Sequence, residues 1–448
     1  MRFTADQLRR SFLNFLEERG HAILPSASLI AAGDSTALFT IAGMQPLMPY
    51  LLGAPHPLGR RLANAQKCLR TDDIAEVGDA SHGTFFEMLG FWSLGDYWKA
   101  DSQRWTLEWF TEELGLEKHR IAVTVFAGDD DAPRDEEAIS VWRSLGIPDE
   151  RVFPLGKEDN WWGPVTATGP CGPDSELFYD TGLPHAPEFG DSCRPGCGCG
   201  RWVEIGNNVF MEYMKHEDGS YTWLAQRNVD VGLGLERLLA MLTGATVYET
   251  DIYAEALRRL GELTPETGDR PPEREERLRR IVVDHARAAT FLLADGVLPG
   301  NVERGYVCRR LIRRAALSAH MLGVREPSLA EIARVFITTY RDAYPELARE
   351  EVRILAELTR EEQRFQRTLA RGLREFERVE SETRVRGVTI LSGANVFRLS
   401  DTFGFPVELT AELARERGLD VDQEGYEAAL ERQRARSRQS IPNGQPTA

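Results

Sequence analysis

Residues 66–90, QKCLRTDDIAEVGDASHGTFFEMLG, give the clearest indication of the fold. Arg70 stands on a predicted strand, a polar loop follows, and His82 stands four residues before Phe86. An arginine can bridge a carboxylate and a phosphate, a histidine can reach outer phosphates, and an aromatic ring can stack on a base. The stretch therefore suits nucleotide binding. Taken alone, it also allows a surface salt bridge at Arg70 and a core position at Phe86.

A second stretch, residues 230–237 (DVGLGLER), has a related character. Paired glycines before a helix let a ligand approach the backbone closely, and an arginine fork suits phosphate. Taken alone, the stretch is equally consistent with a simple strand–turn–helix connection.

The composition sets broad limits. The chain has 448 residues, of which 42% are hydrophobic and 28% charged, as in globular proteins of two to four domains. It contains neither a run of 18 uncharged apolar residues nor an apolar N-terminal signal region, so we expect no membrane association and no export. Three of the six cysteines fall within seven residues, which favours a reducing cytoplasm over a secreted disulfide framework. The net charge of −16 argues against a general nucleic-acid coat.

The pattern of apolar residues changes along the chain. Thr4 and Gln7 have capping-box spacing, and the amphipathic helix that they begin is predicted to end at Gly20. Short apolar runs broken by Gly and Pro then predict strands, with a helix around 103–113 and a strand VTVF ending at Phe126. Beyond residue 240 the periodicity is helical, including a long run over 347–382. We therefore predict an α+β domain over 1–240 and a helical domain over 241–448.

Five motifs follow one another in a specific order. They are residues 39–44 (FTIAGM), Gln66-x-Cys68-x-Arg70, residues 84–90 (TFFEMLG), residues 168–173 (TGPCGP) and residues 232–237 (GLGLER). In this order they resemble the class II aminoacyl-tRNA synthetases of the alanine type, and the resemblance covers residues 12 to about 438. It implies an antiparallel sheet flanked by helices, followed by an all-α domain that recognises the tRNA acceptor stem.

The resemblance also implies a reaction. Alanine would be activated by ATP, with Mg²⁺, to alanyl-adenylate and transferred to the 3′ end of alanine tRNA, with recognition of the acceptor-stem G·U pair. One alternative is a paralogue that activates a small amino acid for a carrier or a biosynthetic pathway. Another is a non-catalytic relative that binds tRNA.

Site residues follow from the matching motif positions. The resemblance assigns catalysis to Arg70, Asp230 and Arg237. It assigns ATP binding to Arg70, His82, Phe86, Gly234 and Arg237. It assigns alanine binding to Met44, Arg70, Trp162, Asn207, Asp230 and Gly232. Gly83 and Gly206 stand where many relatives have a histidine and a tryptophan, so the amino-acid preference is less firmly implied than the reaction.

Recognition of tRNA is assigned to the helical half. The resemblance places Asn301 and Asp401 at the G·U pair. Four arginines at i, i+1, i+4 and i+5 of one helix predict a basic stripe for phosphates: Arg309, Arg310, Arg313 and Arg314. The alternative is a solvated face with local ion pairs.

The cysteine cluster predicts a structural zinc site or free, redox-active thiols. Cys193, Cys197 and Cys199 offer three soft ligands, whereas zinc takes four. The candidates for a fourth ligand are His185, Asp191, Cys171 and His216, and spacing does not decide among them.

The family normally continues with an editing domain and a C-terminal domain that aids dimerisation, and neither fits in 448 residues. We therefore expect either a part of a longer chain or a monomer that relies on a separate editing protein.

Overall fold

The computed structural model describes residues 3–31, 37–80, 82–164, 167–266 and 270–439. The chain forms two compact units. Unit 1 consists of Met1–Arg70, Gly83–Glu255 and Asp342–Tyr344, and unit 2 of Thr71–His82, Ala256–Arg341 and Pro345–Ala448. The chain thus leaves unit 1 directly after Arg70 and returns to it at Gly83.

Unit 1 is built on a sheet that has nine strands in the described residues. The strands are β1 (Ala22–Ile23), β2 (Arg61–Leu69), β3 (Phe85–Leu94), β4 (Ile121–Phe126), β5 (Val152–Leu155), β6 (Trp161–Trp162), β7 (Gly169–Asp180), β8 (Trp202–Lys215) and β9 (Tyr221–Gly234). Their order is β1-β2-β3-β9-β8-β7-β4-β5, and β6 pairs with β7. The pairs β1–β2 and β4–β5 are parallel and the others antiparallel, which confirms the predicted antiparallel sheet.

Helices flank this sheet. They are α1 (Ala5–Glu17), α2 (Met48–Leu51), α3 (Lys99–Glu108), α4 (Glu136–Ser144), α5 (Lys157–Asn160) and α6 (Leu235–Thr243). The boundary predicted at residue 240 lies inside α6. The predicted capping box begins α1, where Thr4 Oγ1 accepts from the Gln7 amide. Arg9 of α1 forms a buried bidentate pair with Glu87 of β3, at 2.9 Å for both contacts, so the Glu87 side chain faces α1.

Unit 2 is mostly helical. Helix α7 (Asp251–Leu263) begins before the division of the chain at residue 256, and the helices that follow are α8 (Pro272–Ala294), α9 (Glu303–Met321), α10 (Leu329–Tyr340), α11 (Pro345–Arg349), α12 (Glu351–Val385), α13 (Gly393–Phe403), α14 (Val407–Glu416) and α15 (Gln423–Gln439). Two short strands, β10 (Ile390–Leu391) and β11 (Asp420–Val421), pair in parallel. Within the ranges that the structure describes, no helix has the length and apolar character needed to cross a membrane.

Candidate active site

Polar side chains from three neighbouring strands meet on one face of the sheet. Trp92 pairs with Asp230, Asp230 with Val209, and Val209 with Asp174. The next row pairs Gly90, Gly232, Asn207 and Glu176 in the same strand order. Directly paired residues point to the same face, and so do residues two apart on one strand. Asp174, Glu176, Asn207 and Asp230 therefore share the face opposite the one that Glu87 directs toward α1.

Asp230 is the central carboxylate of this face. It is 5% exposed, and its Oδ1 accepts the indole N–H of Trp92 at 2.7 Å. Burial raises the pKa of Asp230 to about 7, and the bond from Trp92 opposes that rise. Among the described residues no cation pairs with Asp230, so an incoming ammonium group would supply the missing charge partner.

A hydrogen-bond network beside Asp230 orients Asn207. The Nδ2 of Asn207 donates to Asp174 Oδ2 at 3.0 Å, and the Nδ2 of Asn160 donates to Asp174 Oδ1 at 2.9 Å. Burial raises the pKa of Asp174 to about 7, while these two bonds lower it. The Oδ1 of Asn207 is buried and has no hydrogen-bond partner among the described residues, so it is an acceptor left for a ligand.

Glycines leave room for large side chains on this face. A Cβ at Gly90 would lie 2.5 Å from the Trp92 ring, and one at Gly43 would lie 2.9 Å from it. A Cβ at Gly232 would lie 3.2 Å from the sulfur of Met88. Met44 is fully buried in the same apolar cluster as Trp92 and Val209, and Trp162 packs against that cluster. Of the predicted alanine-binding residues, Met44, Trp162, Asn207 and Gly232 are thus brought together around Asp230.

The predicted ATP residues of unit 1 lie on the same face. Phe86 lies two residues before Met88 and four before Gly90 on β3, so its side chain is on the same face of the sheet. It is half-buried. The guanidinium of Arg70 lies over its ring at 4.9 Å from the centroid, and Arg70 Nε donates to the Ile41 carbonyl at 3.4 Å. Neither contact neutralises the arginine, which leaves it suited to an anion.

Arg237 and Gly234 mark the start of α6. Gly234 occupies the N-cap position, and the exposed Arg237 in the first turn pairs with Glu204 of β8. Burial and the nearby Glu204 raise the pKa of Glu176 to about 9, since like charges disfavour ionisation. The carboxylates of Glu176 and Glu204 are oxygen ligands of the kind that Mg²⁺ takes.

His82 belongs to unit 2, on the segment Thr71–His82. It is exposed, and its backbone N–H donates to Asp79 Oδ1 at 2.7 Å, while its Nδ1 lies 2.5 Å from Asp79 Oδ2. Its conformation therefore depends on that segment.

The residues predicted to read the G·U pair are both exposed. Asn301 precedes α9, and its Oδ1 accepts from Arg309. Asp401 lies on α13 and accepts from Gln433 at 3.3 Å.

The predicted basic stripe is wrong for two of its four arginines. Arg313 is 9% exposed and Arg314 is 3% exposed. Arg313 donates to Glu361 and to the Gly404 carbonyl, and Arg314 donates to Glu412 and to backbone carbonyls. These donors are already used inside unit 2. Arg309 also pairs with Glu361, whereas Arg310 approaches Glu408 at 3.9 Å.

In the structure, His185 is the fourth residue of the cysteine cluster. The ligand atoms of His185, Cys193, Cys197 and Cys199 all lie within 4.8 Å of one another. A bond from His185 lowers the pKa of the Cys199 thiol to about 6. Of the other candidates, Cys171 is buried in a separate apolar cluster and His216 bonds Thr222 at 2.8 Å.

Comparison with known proteins shows the family of the chain. A family model described as tRNA synthetases class II (A) matches residues 7–448. The chain belongs to the class II tRNA synthetases. The alanine–tRNA ligase of Treponema denticola is 49% identical over 441 residues, covering 97% of this chain and 73% of that protein. The alanine–tRNA ligase of Treponema pallidum is 48% identical, covering 97% and 72% respectively, and that of Rubrobacter xylanophilus is 44% identical, covering 97% and 50%.

Several residues of this synthetase site escape sequence reasoning. Trp92, Asn160 and Glu204 carry no motif signal that distinguishes them from core or surface positions. Trp92 depends on the pairing of β3 with β9, Glu204 on the pairing of β8 with β7, and Asn160 on its bond to Asp174 of β7. Asp174 and Glu176 offered one signal, because two acidic residues alternate within an otherwise apolar strand.

Proposed function

We propose that this protein activates alanine with ATP and transfers it to the 3′ end of alanine tRNA. The observation that carries the proposal is Asp230, a buried carboxylate without a cationic partner among the described residues, beside Gly232 and on the same sheet face as Arg70 and Phe86. An amino acid with a small side chain fits there, with its ammonium group on Asp230 and its carboxylate toward Arg70. The alanine–tRNA ligases among its relatives support the same substrate.

The chain supplies positioning and charge rather than a nucleophile. Asp230 and the free Oδ1 of Asn207 hold the ammonium, so that the substrate carboxylate points away from them. Arg70 and Arg237 bind the phosphates, where charge develops as pyrophosphate leaves. Phe86 offers a ring face to adenine. Glu176 and Glu204 would hold Mg²⁺ through their carboxyl oxygens, with Glu176 ionised by the ion, and the bound ion would neutralise charge on the phosphates.

Alanine-dependent ATP–pyrophosphate exchange tests activation. We expect exchange with the unmodified protein and its loss in Asp230→Asn and Arg70→Ala, with both variants folded by circular dichroism. Normal exchange in either variant would contradict the site.

A tRNA pair tests the transfer step. We propose that Asn301 and Asp401 read the wobble pair, because an exposed amide and an exposed carboxylate can bond an exocyclic amine in the shallow groove of A-form RNA. We expect charging of an alanine tRNA transcript with G·U and none with G·C at that position. Exchange without charging of either transcript would instead favour the paralogue that loads a carrier.

We also propose that His185, Cys193, Cys197 and Cys199 hold a structural Zn²⁺. The donor set is three thiols and one imidazole, which is a common tetrahedral set. His185 Nε2 lies 2.7 Å from the Gly190 carbonyl, so Nε2 carries the proton and Nδ1 is left for the metal. We expect one zinc per chain by elemental mass spectrometry, lost in Cys197→Ser and kept in Cys171→Ser. Equal zinc in both variants would overturn the assignment.

The separate editing protein, the monomeric state and the cytoplasmic location stay predictions. Light scattering on the purified chain tests the second of these.

A further inference from the structure

The segment Thr71–His82 is held in place at its middle, residues 74–77. It contains a short 3-10 helix, Asp72–Ala75, and the side chains of Ile74 and Val77 are fully buried. At its end, two contacts with Asp79 hold His82, as described above. The position of His82 therefore follows from what holds the middle of the segment.

A buried arginine of α9 holds that middle. Arg314 donates from Nη1 to the Ile74 carbonyl at 2.8 Å, and from Nη2 to the carbonyls of Ala75 at 3.3 Å and Val77 at 3.2 Å. Two contacts of 2.6 Å join the same guanidinium to Glu412 of α14. Bonds from a charged donor are the stronger kind, and buried carbonyls without partners are costly.

Two further residues orient Arg314 from α8. The Nη1 of Arg314 lies 2.8 Å from His285 Nε2, and His285 Nδ1 lies 2.8 Å from Asp284 Oδ2. A guanidinium only donates, so Nε2 accepts and the imidazole proton is on Nδ1, where it donates to Asp284. Burial lowers the pKa of His285, in keeping with a neutral ring.

Gly78 gives an independent sign that the segment lies tightly against α8. Its φ is 124°, and a Cβ there would lie 2.7 Å from Arg277 Cγ and 3.3 Å from the Arg277 carbonyl oxygen. Only glycine meets both conditions.

We propose that Arg314 is a positioning residue for ATP binding and not a ligand of tRNA phosphate. It fixes the segment that carries His82 and thereby sets the conformation of a residue that the resemblance assigns to the outer phosphates. This inference rests on the proposed function and on that role of His82.

Two variants test the inference without touching a residue assigned to ATP or alanine. Arg314→Lys keeps the charge, but the lysine ammonium lacks the planar set of N–H donors that bonds three carbonyls and Glu412 at once. In Gly78→Ala the added Cβ would clash with Arg277 and displace the segment from α8 without a change of charge. Arg279→Lys is the matched control for the first, since Arg279 pairs with Glu275 on its own helix. Gly418→Ala is the control for the second, with a φ of 68° and open space at its Cβ.

The readout is the KM for ATP against the KM for alanine in pyrophosphate exchange, with the KM for tRNA in charging. We expect the KM for ATP to rise about tenfold in both variants, which corresponds to the loss of about one charged hydrogen bond to ATP. The KM for alanine should stay unchanged, and both control variants should have normal KM values. An unchanged KM for ATP in folded variants, or a rise in the KM for tRNA alone, overturns the inference. If Arg314→Lys does not fold, Gly78→Ala decides. No exchange by the unmodified protein would overturn the proposed function, and this inference with it.

Discussion

At the scale of single residues, the bond between Trp92 and Asp230 decides how well the site holds an ammonium group. The indole N–H stabilises the ionised carboxylate and fixes its direction. We expect Trp92→Phe to raise the KM for alanine about tenfold, the size of one hydrogen bond to a charged group, and to leave the KM for ATP unchanged. Pyrophosphate exchange measures both constants.

Trp109→Phe provides the control for this change. Trp109 is equally buried at 1% exposure, and its indole N–H bonds Ser11 at 3.2 Å, away from Asp230. An equal rise in both KM values for Trp92→Phe would indicate a loss of packing instead of a loss of orientation.

The same carboxylate predicts a pH dependence. Burial raises the pKa of Asp230 to about 7 in the ligand-free protein, and only the ionised form binds an ammonium well. We therefore expect kcat/KM for alanine to fall as the pH falls below about 7, with a shallow dependence above it. Because Trp92 favours the ionised form, the midpoint in Trp92→Phe should move to higher pH. A flat profile between about pH 5.5 and 8 would contradict this account.

Sequence reasoning reaches single residues unevenly. Arg70, Asp230 and Arg237 stand in motifs, and the structure places all three in unit 1. Trp92 stands outside the motifs, and its role requires knowing that it pairs with Asp230, 138 residues away in the chain. Registers between distant strands leave no local trace in a single sequence.

At the scale of elements, Glu361 joins α9 to α12. It accepts from Arg309 at 3.1 Å and from Arg313 at 2.6 Å, and its side chain is 6% exposed. Removing a buried charge leaves its partners uncompensated, so we expect Glu361→Ala to lower the free energy of unfolding by about 3 kcal/mol. Urea denaturation followed by circular dichroism measures this change.

Glu357→Ala is the control on the same helix. Its partner Arg360 is 68% exposed on the side chain, and exposed pairs contribute at most about 1 kcal/mol. Equal losses in the free energy of unfolding would show that the buried pair stabilises the protein no more than the exposed pair.

Element boundaries were predicted best where a local signal exists. The capping box marks the start of α1, and Gly20, with a φ of 80°, follows its end. The helix predicted around 103–113 corresponds to α3, which begins earlier, at Lys99, and ends in a π-helical turn, Trp109–Glu113. The arginine stripe failed for a different reason. Helical spacing shows which side chains share a face, but not that Glu361 and Glu412 cover that face.

At the scale of the whole molecule, the two units do not follow the predicted division at residue 240. The segment Thr71–His82 lies between two motifs of unit 1 in the chain but folds with unit 2. Its contacts include residues about 200 or more positions later, such as Arg277 and Arg314, so composition and periodicity could not reveal them.

The overall charge leads to a prediction about the salt dependence of tRNA binding. The chain carries a net charge of −16, and Arg313 and Arg314 are already bonded within unit 2. These two arginines of the predicted stripe are therefore not available to displace counterions from RNA, and each phosphate that another cation neutralises contributes about 0.9 to the salt slope on a duplex. We expect log kcat/KM for tRNA to fall with log salt concentration at a slope no steeper than about −4.

Variants separate the arginines in this measurement. Arg313→Lys should leave the slope unchanged because the buried guanidinium does not contact solvent ions, whereas Arg310→Gln should make it shallower by about 1. A slope that becomes shallower in Arg313→Lys would restore the basic stripe expected from helical spacing. A slope much steeper than −4 would require phosphate contacts by cations elsewhere on the surface, since net charge alone opposes the approach of RNA.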